Sequence, residues 1–273
     1  MAANVAVYER LLPPGVPDLS RWPDLLAEVE GIAAGAGLPV EALLRLQART
    51  ELLGGAECSL LGRPGRVEQT WDWHPDVVPL VWIVEQPGGR WFATLTEAGM
   101  VGKIGLSSAG LCVGLNFLRC SLDGGLDGVP IHVLLRLLLD RVDAFDDALK
   151  LLTAAEVRAS SCVTVGSAAE VAAVELSPGG ACVLRSSRIV HTNHFLAGPP
   201  AGEDLEAAEA PSTFERLAEL ERTGSLRSVW CEEDPHAPWP DRRATLAAAT
   251  LEPAVPRFVV AGRSGETCEV ALP

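Results

Sequence analysis

The chain has 273 residues, 48% of them hydrophobic, and a formal net charge of −14. That length suits one large domain or two small ones, and the acidic balance, with no Lys/Arg cluster against it, excludes a nucleic-acid face or an anionic membrane surface as a partner. No apolar run reaches the ~18 residues of a membrane span; the longest, residues 129–139, is interrupted by His132 and Arg136.

Residues 1–14 lack a basic start followed by an apolar core, so no secretory signal is expected. Residues 20–53 read as helix: Ser20 is the expected cap, and Leu25, Leu26 and Val29 share one face. Gly35 and Gly37 break the pattern. Pro39 then opens a second helix, with Val40, Leu43, Leu44 and Leu46 at helical spacing. After Gly54-Gly55 the texture changes. Residues 58–61, 67–73, 80–85, 91–96 and 110–117 are short, rich in aromatic and β-branched residues, and parted by Gly/Pro turns, which predicts strands. Residues 130–141 and 143–157 predict two helices. Strands return at 161–165, 171–176, 181–184 and 189–192. An acidic loop follows over 197–211, then a short helix over 212–221. Residues 244–251, 257–261 and 268–272 read as edge strands. Two blocks of strands around a helical pair predict α+β layers rather than alternating βαβ units.

The seven cysteines are odd in number, form no C-x-x-C and sit mostly in apolar runs. They read as reduced thiols of a cytoplasmic protein, not as a disulfide framework. Cys58 differs by its setting, Gly54-Gly55-Ala56-Glu57-Cys58-Ser59-Leu60. A chain cut before it would place a thiol and a free α-amine on one residue. The amine titrates near 8 and lies within reach of the thiol, so it can act as its base. Fourteen residues on, Trp71-Asp72-Trp73 sets a carboxylate between two aromatics; strand alternation sends Asp72 to the opposite face. Two short strands and a turn bring it beside Cys58, where it could orient an ammonium. The alternative is a solvent-facing strand aspartate. His191-Thr192-Asn193-His194-Phe195 ends a strand with a dense polar set, and a side-chain amide there can donate to an oxyanion. A zinc set of Asp72, His74, His191 and His194 is disfavoured, because H-x-x-H on a strand splits its two rings between faces. No metal or other cofactor is expected.

Taken together, Glu57-Cys58-Ser59, Gln69-Thr70-Trp71-Asp72-Trp73, Glu97-Ala98-Gly99 through Gly105, Ser107-Ser108-Ala109-Gly110-Leu111-Cys112-Val113-Gly114-Leu115-Asn116, Val129-Pro130-Ile131-His132 and Val190-His191-Thr192-Asn193-His194-Phe195 resemble one known family. It is the acyl-coenzyme A:6-aminopenicillanate acyltransferase-like family of N-terminal-nucleophile (Ntn) hydrolases, peptidase family C45. The resemblance runs from about Leu25 to Leu272. It implies a four-layer αββα sandwich of antiparallel sheets between helices, and autocatalytic cleavage between Glu57 and Cys58. Residues 1–57 would then stay bound as a small helical chain to the catalytic chain 58–273. It also implies Cys58 as acyl acceptor, Asp72 near its amine and Asn193 as oxyanion donor, with Ser59, Gln69, Trp71, Asn116 and His194 as pocket candidates. The expected substrate is a small-molecule acyl amide or thioester. Hydrolysis of an N-acyl amide is the leading activity, acyl transfer to an amine the second. Glu57 stands where members often have Gly, Ser59 where Thr is common, and Thr70 and Ser107 where Asn is usual. The changes at Glu57 and Thr70 motivate a third reading, an unprocessed, inactive binding protein on the same fold.

Overall fold

The computed structural model describes residues 1–53, 58–205 and 212–273. Glu57, the expected scissile bond before Cys58, and the Gly54-Gly55 approach lie outside the described residues, as does part of the acidic loop.

Thirteen antiparallel strands among the described residues form two sheets. The first contains β1 (Leu60–Arg63), β2 (Arg66–Trp73), β10 (Ile189–His191), β11 (Ala244–Glu252), β12 (Arg257–Gly262) and β13 (Thr267–Glu269), in the order β10-β1-β2-β11-β12-β13. The second runs in sequence order through β3 (Pro79–Glu85), β4 (Trp91–Glu97), β5 (Ile104–Ser107), β6 (Cys112–Phe117), β7 (Ser161–Gly166), β8 (Val171–Ser177) and β9 (Gly180–Arg185). The sheets face each other through β2 against β6 and β1 against β7 and β8. Helices α5 (Ile131–Arg141) and α6 (Phe145–Thr153) cover the outer face of the second sheet. Every residue of β7 and β8 is consequently buried, since a strand covered on both faces cannot alternate apolar with polar. The other outer layer is thinner: α7 (Ser212–Thr223) lies on β10 and a 3-10 turn at Leu226–Val229 on β2. The expected α+β order of helix and antiparallel sheet layers is the one observed.

The N-terminal segment supplies α1 (Ala2–Leu11), α2 (Pro23–Ala36), α3 (Val40–Gln47) and α4 (Arg49–Leu53). It is stitched to the rest by buried polar bonds. Asn4 exchanges two bonds with the backbone of Val78, and Gln47 reaches the carbonyl of Gly99 and the amide of Val101. No helix among the described residues is long and apolar enough to cross a membrane.

Five points of the sequence reading change. Helix α1 carries no strong apolar stripe, and its register became visible only through its buried Val5 and Tyr8. Ser20 does not cap α2; it turns back onto Asp18, and Pro23 with its fixed φ starts the helix at the first position. That helix runs through Gly35 and stops at Gly37, whose φ of 65° makes the left-handed cap. Strand β5, missing from the sequence reading, is short and holds Gly105. And neither β12, which lies between β11 and β13, nor β11 is an edge strand: β11 lies inside the first sheet between β2 and β12. Its run of small residues admits close neighbours on both sides, which mimics the weak apolarity of an edge.

Gly105 sits where β4, β5 and α5 converge. A Cβ there would come within 2.5 Å of the Ala93 carbonyl oxygen and 2.9 Å of Leu139. The first obstacle is backbone, which cannot swing aside. Gly105→Ala should lower the unfolding free energy by about 2 kcal/mol, read as a drop in the urea midpoint with unchanged slope. A midpoint equal to wild type would show that the β4–β5 contact yields.

Candidate active site

The strand pairing of β1 with β2 places Leu60 opposite Gln69, and the Thr70 amide donates to the Ser59 carbonyl at 2.9 Å. Cys58 and Ser59 thus continue β1 toward the end of the sheet, beside β10, and Cys58 is buried. Its backbone is held on three sides. The Cys58 amide donates to Asn193 Oδ1 at 2.9 Å. The Cys58 carbonyl accepts from Asn116 Nδ2 and from Arg216 Nη1, each at 3.0 Å. Arg216 also donates to Ser59 Oγ and to Asn193 Oδ1, both at 2.9 Å. Asn193 is fixed in turn: its Nδ2 donates to the Phe117 carbonyl, and its amide to Thr213 Oγ1.

Asp72 is buried, not solvent-facing. It pairs across the strands with Thr245 of β11, whose hydroxyl donates to Asp72 Oδ1 at 2.6 Å. Thr70 Oγ1 donates to Asp72 Oδ2 at 3.3 Å while accepting the Ser59 amide at 3.0 Å. A threonine can do both because its hydroxyl is donor and acceptor at once. The Cys58 thiol is pushed up, by burial first and by the Asp72 charge second; Lys103, an N–H from the Asp72 backbone and Arg216 pull the other way. The resting sulfur is therefore a thiol that needs a base at the moment of attack.

The remaining candidates divide by role. Asn116 and Ser59 touch the Cys58 hold directly. Gln69 joins the two sheets: its amide oxygen accepts the Leu115 amide at 2.8 Å and its nitrogen donates to the Leu115 carbonyl. Trp71 is fully buried, with the Lys103 ammonium nitrogen 3.2 Å from its ring centre. His194 bonds Thr213 Oγ1 at 2.9 Å and stacks 4.3 Å from Phe214, so it braces the turn carrying Asn193. His191 is buried against Glu175, Nε2 to Oε1 at 3.0 Å. Glu175 also accepts the amides of Leu196 and Ala197. His74 bonds the Trp239 carbonyl. Among the described residues no group of three His, Cys, Asp or Glu could hold a metal ion. Sequence reasoning missed Arg216, Thr245 and Glu175. Arg216 lies on an acidic, exposed-looking helix where nothing local sets one arginine apart.

Comparisons with known proteins bear on the family and the fold. The family described as acyl-coenzyme A:6-aminopenicillanic acid acyl-transferase matches residues 60–230, more than half the chain. A relative from Emericella nidulans, the 40 kDa form of acyl-coenzyme A:6-aminopenicillanic-acid-acyltransferase, is 34% identical over 241 residues, covering 78% of this chain. The chain spans 66% of that relative's length. Among solved structures, a mutant conjugated bile acid hydrolase from Clostridium perfringens superposes with a TM-score of 0.55 at 10% identity, covering 79% of this chain and 92% of that one. Penicillin V acylase from Agrobacterium tumefaciens superposes with a TM-score of 0.51 at 13% identity, covering 79% and 86%. These two share the fold.

The His191 imidazole is raised to about 10: burial acts to lower it, and the adjoining Cys162 thiol, the Glu175 carboxylate and the Thr192 carbonyl outweigh burial. Because the folded value lies above the unfolded value of about 6.5, the pair's stabilisation is complete below pH ~6.5 and lost as pH rises toward 10. Wild type should lose urea resistance across that window, and Glu175→Gln should flatten the loss while lowering stability below it. Parallel profiles for the two proteins would refute a charged His191.

Proposed function

The chain belongs to the acyl-coenzyme A:6-aminopenicillanic acid acyl-transferase family, and on that premise we propose that it is a self-processing Ntn enzyme whose nucleophile is Cys58. It opens an acyl amide through a Cys58 acyl-enzyme. The observation that carries this reading is the three-sided hold on the Cys58 backbone by Asn193, Asn116 and Arg216. A cysteine that served only as a small core hydrophobe would not draw two amides and a guanidinium to its main chain.

In the processing step the Cys58 sulfur attacks the Glu57 carbonyl carbon. The peptide C–N bond breaks as the thioester forms, and the nitrogen takes the thiol proton to become the α-amine. Water then cleaves the thioester, which leaves a Glu57 carboxylate and a free thiol. The new amine keeps Asn193 Oδ1 as an acceptor 2.9 Å away. Titrating near 8, it can take the thiol proton, which a thiol raised by burial requires. Asp72, buried beside the thiol, favours the protonated amine that results. Substrate follows the same route. Its carbonyl carbon bonds to sulfur, its amine leaves with the proton, and the acyl-enzyme awaits an acceptor. Asn193, whose Nδ2 also donates to the Phe117 carbonyl, is the candidate donor to the oxyanion.

Water as acceptor gives an amidohydrolase of N-acyl amides, the leading reading. An amine as acceptor gives an acyltransferase, favoured by the identity to the Emericella enzyme. The N-terminal segment stays on the catalytic chain after cleavage, in keeping with the buried bonds from Asn4 and Gln47. A cytoplasmic setting, where the thiol remains reduced, suits the mechanism.

Purified protein should run as two co-eluting pieces of roughly 6 and 23 kDa, dividing 28.8 kDa at residue 57. Cys58→Ala should remain at full mass and turn over no acyl amide or thioester. A wild type that stays intact after long incubation at neutral pH would sink the processing step and favour the inactive binding protein. Asn193→Ala should fold and bind but lose about 10²–10³ in turnover, the usual loss for one oxyanion donor. Unchanged kcat would leave Asn193 as a backbone brace. Adding hydroxylamine during turnover separates the two activities: an acyltransferase diverts most acyl groups to hydroxamate, a hydrolase few.

A further inference from the structure

Beneath the nucleophile lies a buried charge cluster that the reaction above leaves unused. Glu97, at the end of β4, is fully buried and offers one carboxylate. Three groups compete for it. Arg49 Nε of α4 stands 3.3 Å from Oε1, Lys103 Nζ 3.4 Å from the same oxygen, and the Tyr8 hydroxyl of α1 donates to Oε2. Lys103 is 1% exposed, and lysine is almost never buried so fully without a dedicated partner. Here it must share its partner with an arginine. Its position is nonetheless exact: the backbone amide is bonded to Thr94 Oγ1 at 3.0 Å, and the ammonium nitrogen lies 3.2 Å over the Trp71 ring. Extending the β1–β2 register by two residues sets Cys58 opposite Trp71, and directly opposed residues project from the same face of a sheet. Lys103 and the Cys58 sulfur therefore flank the same tryptophan between the two sheets.

We propose that Lys103 is a positioning residue of this site: the cation that stabilises the Cys58 thiolate, held over Trp71 by Glu97, with Arg49 and Tyr8 of the N-terminal segment setting how much of that carboxylate it receives. The inference rests on Cys58 as nucleophile and adds to it a cation of the same chain, tuned after processing by two groups of the N-terminal segment. The charged groups around the pair are Asp72 from β2, Arg216 from α7, Arg49 from α4 and Glu97 from β4, with His132 from α5 held neutral by burial and by the Arg49 and Lys103 charges. Asp72 opposes the thiolate, whereas Lys103 and Arg216 favour it. Burial, then the repulsion of Arg49, hold the lysine well below its usual range while Glu97 and Cys58 raise it. The two sites are thus coupled: each charged form favours the other. An ammonium already present lowers the thiol midpoint directly, and an amine that takes up a proton as the thiol loses one lowers it by linkage. Both routes give the same sign.

The test is the pH dependence of Cys58 alkylation by iodoacetamide, read by mass spectrometry on the peptide containing Cys58, whether or not the chain has been cut. Lys103→Met should move the midpoint up by roughly one pH unit, about tenfold in rate on the acid side. Lys103→Arg, which keeps the charge, should leave it at or below wild type. Should Lys103→Met fail to fold by circular dichroism, Lys103→Gln against Lys103→Arg makes the same comparison. A midpoint unmoved by loss of the charge, or moved equally by Met and Arg, overturns the proposal and leaves Lys103 as a packing residue. The nucleophile reading fails separately, if Cys58→Ala retains turnover while the midpoint shifts are as expected.

Discussion

Cys58 can be useful only if its main chain is fixed, and no single element of this fold can fix it. The amide is held by Asn193, from the turn after β10; the carbonyl by Asn116, from β6, and by Arg216, from α7. Those residues come from both sheets and from the thin outer helix. The sandwich must close in one register for all three bonds to form, and a slip of one residue along β1 would turn Cys58 to the other face. Gln69 helps to forbid that slip, because its side chain completes a two-bond bridge to the Leu115 backbone in the opposite sheet. Buried amides are costly when unpaired, so the closed register is also the one that satisfies Gln69 and the Asn116 Nδ2 donor.

What the sequence disclosed follows from how far each interaction reaches. Cys58, Asp72 and Asn193 each sit in a local pattern of glycine, aromatic or polar residues, and the pattern survives without the fold. The α+β layering was legible because strand alternation and turn chemistry are local. Arg216 was not. It meets Cys58 across 158 residues of sequence, and on its own helix it is one basic residue in an acidic amphipathic stretch. Lys103 carries no local signal in the sequence, and only the closing of the sandwich buries it. Strand β11 was misread as an edge for the related reason that small residues pack well between two neighbours and poorly announce it. His191 and His194, weighed against zinc, spend their ring nitrogens on Glu175, Thr192 and Thr213. Their density near Asn193 reflects the number of bonds needed to hold one turn.

Charge inside this protein is arranged as counterbalance. Glu97 sits among Tyr8, Arg49 and Lys103; Asp72 accepts from the hydroxyls of Thr245 and Thr70. Hydroxyl donors satisfy a carboxylate's lone pairs without neutralising it, and the Asp72 charge opposes ionisation of the Cys58 thiol. The interior thus keeps an anion and a cation on opposite faces of the same strand, a separation that bulk water would screen and a closed sandwich does not.

Strand β11 carries a consequence for the timing of assembly. Thr245, which holds Asp72, lies 173 residues downstream of it, and β11 is the strand that seals β2 within its sheet. A chain growing from its N-terminus makes β2 early and its second neighbour late. Through most of synthesis β2 is an open edge and Asp72 lacks the Thr245 hydroxyl. The site is therefore incomplete on a nascent or truncated polypeptide, whatever the state of the helices before it. Placing the keystone strand so late couples reactivity to the completeness of the translated chain.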